Sequence, residues 1–175
     1  VWGNKAGRLL AEGRLEEALG AFDRSLSLDP RPAGEWIGKG TVLGQMGRHE
    51  EALACYDEAL RLDPDRPAAH YNKGNSLVQL TRYEDALACF DAACRLAPGA
   101  AIAHYNRALC QLVLEQPAAA GLSLRRYLSL GPPRDGLHAQ AEQLLRQIDS
   151  GELTRLERGN QAPKPGALRD GAEMK

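Results

Sequence analysis

The stretch His70-Tyr71-Asn72-Lys73-Gly74, HYNKG, returns as His104-Tyr105-Asn106-Arg107-Ala108, HYNRA, 34 residues later. The interval holds well beyond these ten residues. Proline stands at Pro30, Pro64, Pro98 and Pro132, and alanine at Ala18, Ala52, Ala86 and Ala120. Four residues after each alanine comes a large apolar side chain: Phe22, Tyr56, Phe90, Leu124. The histidines fall in a column that begins with Trp2 and Trp36. A small-residue column reads Ala6, Gly40, Gly74, Ala108. Two columns change in the fourth copy: Leu9, Leu43 and Leu77 give way to Gln111, and Ser25, Ala59 and Ala93 to Tyr127. Four copies keep one register, so the chain is an array, and the array is read before any local pattern.

Each copy predicts two helices. Trp36, Gly40 and Leu43 put one face on a first helix, and Gly47-Arg48 makes a turn. Glu50-Glu51 then favours the positive end of a second helix dipole. Ala52, Leu53, Tyr56, Ala59 and Leu60 form its apolar stripe, and Asp63-Pro64 ends it, because proline cannot extend the hydrogen-bond ladder. Small residues let the paired helices approach while large ones fill the adjoining gaps.

Composition narrows the function. With 43% hydrophobic and 26% charged residues the chain has ordinary globular usage, and 175 residues suffice for a buried core. A formal charge of -1 shows no basic excess for nucleic acid. No apolar run approaches the roughly 20 residues that span a bilayer. The cytoplasm is the default expectation for a chain that begins at Val1 rather than Met. Cys55, Cys89, Cys94 and Cys110 have no CxxC spacing and sit in apolar helical patterns, so they read as small buried hydrophobes, with no metal site. Gly38, Gly40 and Gly44 lie within a helical pattern and follow no strand, so they make no dinucleotide loop; no catalytic constellation and no cofactor motif appears. No enzyme activity is expected.

The period and the Trp/Leu/Gly, Ala/Phe and closing Pro columns resemble the tetratricopeptide repeat (TPR) family. The resemblance runs from Trp2 to about Pro132. It implies an all-α, right-handed superhelical solenoid of antiparallel helix pairs, with first helices lining a concave groove. Units are expected at about 1–32, 33–66, 67–100 and 101–134. A capping helix over 135–149 would begin at an Asp135 N-cap and carry Leu137, Ala141, Leu144, Leu145 and Ile148 on one face, covering the apolar surface that Leu122 announces. Gly151 would stop it. Residues 150–175 read as a Gly/Pro-containing tail, with a helical extension through Glu152–Arg158 as an option.

The resemblance places Tyr71, Asn72, Asn75, Tyr105 and Asn106 toward the groove. Adjacent helices lie roughly 8–10 Å apart, and an extended strand advances about 3.3 Å per residue. Recurrent asparagines could then hold an extended peptide at about every third residue, through amides that both donate and accept. The tyrosines would add contact area. Lys39, Lys73 and Arg107 form a basic column at the groove margin, while the second helices carry an acidic back on the other side, a separation that would steer an acidic or mixed-charge peptide to the groove. The family's clamp for a C-terminal carboxylate is incomplete: Asn75 and Asn106 match its asparagines, but Tyr71 stands in place of its lysine. The expected function is a protein-interaction scaffold that binds a peptide or protein segment in the groove. The alternatives are self-assembly through the end faces or the tail, and a recruiting or regulatory domain of a larger protein.

Overall fold

The computed structural model describes residues 2–131 and 136–152. The expectations at Pro132, at the Asp135 N-cap, over the extension through Arg158 and over the tail lie outside the described residues. Among these there are nine helices: α1 (Trp2–Ala11), α2 (Leu15–Leu28), α3 (Ala33–Gln45), α4 (His49–Leu62), α5 (Pro67–Gln79), α6 (Tyr83–Leu96), α7 (Ala101–Val113), α8 (Pro117–Ser129) and α9 (Gly136–Asp149). They pair as α1/α2, α3/α4, α5/α6 and α7/α8, and each pair packs on the next through α2·α3, α4·α5 and α6·α7. Successive first helices also touch directly, α1 with α3 and α3 with α5. The fold is an all-α helical-repeat superhelix.

Within a pair, one small residue meets one large one. The column alanines Ala18, Ala52, Ala86 and Ala120 are fully buried, as are Phe90 and Leu124. A Cβ added at Gly40 would lie 2.6 Å from the Tyr56 ring, and one at Gly74 would lie 2.8 Å from Phe90. The fourth pair keeps the methyl of Ala108 because it opposes Leu124, which has no ring, in the same core cluster. In the first pair Ala6 coexists with Phe22 because the ring leans on Gly38, where a Cβ would collide with it.

The turn inside every pair repeats to the hydrogen bond. Residues 13, 47, 81 and 115 have positive φ: Gly13 72°, Gly47 76°, Thr81 58°, Glu115 56°. The following N–H groups of Arg14, Arg48, Arg82 and Gln116 reach back to the carbonyls of Leu9, Leu43, Leu77 and Gln111 at 2.8–2.9 Å. This is the Schellman closure, which satisfies carbonyls the first helix leaves open. Arg14, Arg48 and Arg82 then pair with Glu17, Glu51 and Asp85 in the first turn of each second helix.

The fourth unit ends against α9. Tyr127, which breaks the small column, is buried and tilts on Tyr105 with ring centroids 5.2 Å apart. Ala141, Leu144, Leu145 and Ile148 of α9 join this cluster, and Gly151 closes the helix at φ 73°. One expectation is corrected. Leu122 is 70% exposed, because α9 arrives over Gly121, where Ile148 and Leu145 lie 3.5 and 3.8 Å from the position of a Cβ. The next residue along a helix points about 100° away, which turns Leu122 out of that contact.

Candidate functional site

The recurring HYN motif resolves into three separate duties at the joints between units. His70 Nε2 lies 3.0 Å from the Pro64 carbonyl and His104 Nε2 lies 3.2 Å from the Pro98 carbonyl. Trp36 Nε1 donates to the Pro30 carbonyl at 2.8 Å. Indole and imidazole are thus interchangeable here because each brings a ring N–H to the same loop oxygen. The tyrosines fill the core: Tyr71 is 1% exposed, with its ring centroid 5.8 Å from that of Phe90, and Tyr105 is 2% exposed and donates to Gln140 Oε1 at 3.1 Å. The asparagines tie one first helix to the one before it. Asn72 Nδ2 donates to Thr41 Oγ1, and Asn106 Nδ2 donates to Asn75 Oδ1 and the Tyr71 hydroxyl, each at 3.1 Å.

These positions correct the sequence-derived site. Tyr71, Tyr105 and the fully buried Asn106 have no surface to offer a ligand. The side chains that were expected to read a peptide backbone instead read the neighbouring repeat. The basic column is also spent within the array. Lys39 pairs with Asp23 at 2.7 Å, Lys73 with Asp57 at 2.5 Å and Arg107 with Asp91 at 3.4 Å, each joining a first helix to the second helix before it. Arg107 Nε further donates to Ser123 Oγ, which donates to the buried Gln111 Oε1. No basic margin facing an acidic back remains in these columns, because the two charges neutralise one another at every joint.

Asn72 and Asn75 do line an open space. A cleft of about 320 Å³ lies between α3, α5 and the start of α4, and its walls include Thr41, Gln45, His49, Asn72, Asn75 and Gln79. Gly44, Gly47, Tyr56 and Ser76 complete it. It contains no carboxylate, ammonium or guanidinium. His49 Nδ1 is buried there without a hydrogen-bond partner among the described residues. Such a surface exchanges hydrogen bonds with uncharged amides and hydroxyls. Sequence reading missed Gln45 and Gln79, although they stand 34 residues apart at the last position of α3 and α5. That column was legible; it lacked the aromatic neighbours that drew notice to HYN.

The cysteines are free thiols. Burial pushes Cys94 up to about 11 and Cys110 up to about 12, and raises Cys55 and Cys89 for the same reason. A thiol held protonated is a poor nucleophile. Among the described residues no group of three or more His, Cys, Asp or Glu side chains could hold a metal ion, and no helix is long and apolar enough to cross a membrane.

Two family models match the chain: one described as TPR repeat over residues 40–81, the other as tetratricopeptide repeat over residues 71–135. Together they span residues 40–135, more than half of the chain. No curated protein matches. Among solved structures, the chain is similar to MamA from Desulfovibrio magneticus RS-1, at 23% identity and a TM-score of 0.74, covering 91% of this chain and 95% of that one. Pseudomonas aeruginosa pilF matches at 22% identity and 0.77, covering 91% and 76%. The first TPR of Spaghetti (RPAP3), bound to the HSP90 peptide SRMEEVD, matches at 23% and 0.63, covering 71% and 95%. At these identities the likeness is one of fold.

Proposed function

The chain belongs to the tetratricopeptide repeat family, and on that premise we propose that it is a non-enzymatic scaffold whose cleft between α3 and α5 receives an extended segment of a partner protein. Repeats of this family generally mediate protein–protein interaction, and the fold is typically a scaffold rather than an enzyme. The observation that carries the reading is the cleft itself: a volume of about 320 Å³, lined without Lys, Arg, Asp or Glu, to which neighbouring repeats contribute amide side chains. Asn72 gives one N–H to Thr41 and keeps its carbonyl oxygen and second N–H for a ligand. A related fold holds a short acidic peptide in the Spaghetti structure. The cleft here has no Lys or Arg for a carboxylate, so its partner is read through hydrogen bonds with its amides and hydroxyls. An affinity on the order of micromolar, about 8 kcal/mol, suits a surface of this size.

The test is selection from a random-peptide display library on the wild-type chain and on an Asn72→Ala/Gln79→Ala variant of verified helical content. Enrichment that vanishes in the variant supports the cleft as the peptide-reading surface. Enrichment indifferent to both substitutions moves the site elsewhere. A second reading, self-assembly, is favoured by the exposed Leu122 on the back of α8. A sedimentation mass that rises with concentration and returns to monomer in Leu122→Lys would support it instead.

A further inference from the structure

Every joint in the array uses the same backward-reaching groups. A first helix carries a ring N–H that bonds the preceding proline carbonyl, and a cation that pairs with an aspartate on the preceding second helix. At two of the three joints it adds an asparagine that bonds the preceding first helix. The columns continue into α1. Trp2 stands with Trp36, His70 and His104; Asn4 with Asn72 and Asn106; Lys5 with Lys39, Lys73 and Arg107.

In α1 these groups meet nothing of the kind. Trp2 is 38% exposed, and Asn4 and Lys5 are exposed. Among the described residues none of the three has a hydrogen bond or ion pair of the type its column makes elsewhere. The Lys5 ammonium lies 5.0 Å from the Trp2 ring centroid. In the second unit Lys39 keeps a similar position, 5.7 Å from Trp36, and also holds Asp23. Lys5 has the ring without the aspartate.

We propose that the outer face of α1 is a docking surface for a further helical hairpin of this same repeat type, seated in 34-residue register ahead of Trp2. Two observations select this occupant. The first is continuity with the three joints already described, which use the same columns. The second is charge complementarity, since each of the other three cations in the Lys5 column meets an aspartate. The hairpin must present a loop carbonyl to Trp2, a hydrogen-bonding side chain to Asn4 and an aspartate to Lys5. Gly3 occupies the column of Ile37, Tyr71 and Tyr105 and adds no side chain to this joint, so recognition rests on the three polar groups.

The chain contains a hairpin that meets all three demands, because it already serves the third unit. Residues 33–68, copied ahead of Val1, would bring Pro64, Thr41 and Asp57 opposite Trp2, Asn4 and Lys5 without a change of period. Thermal unfolding of the full chain with and without this added unit is the test. Each is compared with its Trp2→Ala/Asn4→Ala/Lys5→Met variant. The expected result is one cooperative transition raised by about 4 °C or more in the extended chain. The triple variant should lower Tm by several degrees more in the extended chain than in the parent. An added unit that melts separately, or a triple variant that costs the same with and without it, overturns the proposal. So does a parent chain that sediments as a dimer lost in the triple variant, which would give the face to a second copy.

Discussion

Thr81 holds φ at 58° in a turn where Gly13 and Gly47 do the same work without a Cβ. A left-handed backbone costs an ordinary residue about 1–2 kcal/mol, and a β-branched one is an outlier there. Glycine returns about 0.5–1 kcal/mol of that through its freer unfolded chain. The strain term is the larger, and the Thr81 side chain is exposed. Thr81→Gly should therefore stabilise by about 0.5–1 kcal/mol, read as a higher urea midpoint at unchanged slope. His104 gives a second prediction at this scale. Its ring is buried, and its Nδ1 has no hydrogen-bond partner among the described residues. Burial lowers its pKa from 6.5; the Arg107 and Arg126 charges add to this, and the Pro98 carbonyl opposes it. A base with a lowered folded pKa is neutral in both states above pH 6.5, where its full contribution is present. As pH falls below 6.5 the unfolded chain takes up the proton first, so stability is lost down to the folded pKa. Trp36 shows that an indole serves this column. Urea midpoints at pH 7.5 and pH 5 should fall more for the wild-type chain than for His104→Trp.

At the scale of elements, α9 has no second helix of its own, yet it buries Ala141 and rests Leu144, Leu145 and Ile148 on the fourth unit. We propose that it caps the array. Leu145→Asp would place a carboxylate against Gly121 and the Tyr127 cluster in place of an apolar contact, and should cost about 2–4 kcal/mol. Circular dichroism melts and hydrogen exchange check this: protection should fall most in α7 and α8 and least in α1 and α2. Uniform loss would remove α9 from that role. The helices themselves were legible in sequence because each column has one physical cause, a small residue under a ring or a stripe facing its partner. The path of α9 was not. Leu144, Leu145 and Ile148 mark an apolar face, but which side of α8 receives it is set by Gly121, a residue without a side chain to advertise the contact.

Across the whole molecule, the candidate site was only half readable, for a reason that repeats carry within them. A column recurs whenever its surroundings recur, and in a stack of equal units the most regular surroundings are the joints. HYN recurs because joints recur: His104, Tyr105 and Asn106 are spent on Pro98, Gln140 and Asn75. A binding surface has no such obligation to repeat, and its polar residues look like solvent-facing ones until the backbone is folded. Asn72 and Asn75 were found because they hold a joint and also line the cleft. Gln45, Gln79 and His49 line the cleft without a joint bond of the HYN kind; the glutamine column was present in the sequence but had no aromatic neighbours to mark it.

The ion pairs and asparagine bonds between units tie each unit to its immediate neighbour, and none of those described skips a unit. Tension applied at the two ends would therefore act on the joints in series. Each joint carries the whole load and yields by its own small amount, as the coils of a spring do, so the array lengthens before any hairpin comes apart. The spacing of the amides in the cleft between α3 and α5 would widen with it. Under the proposed function, a partner that pulls on the chain would thereby change the length of segment that fits the cleft.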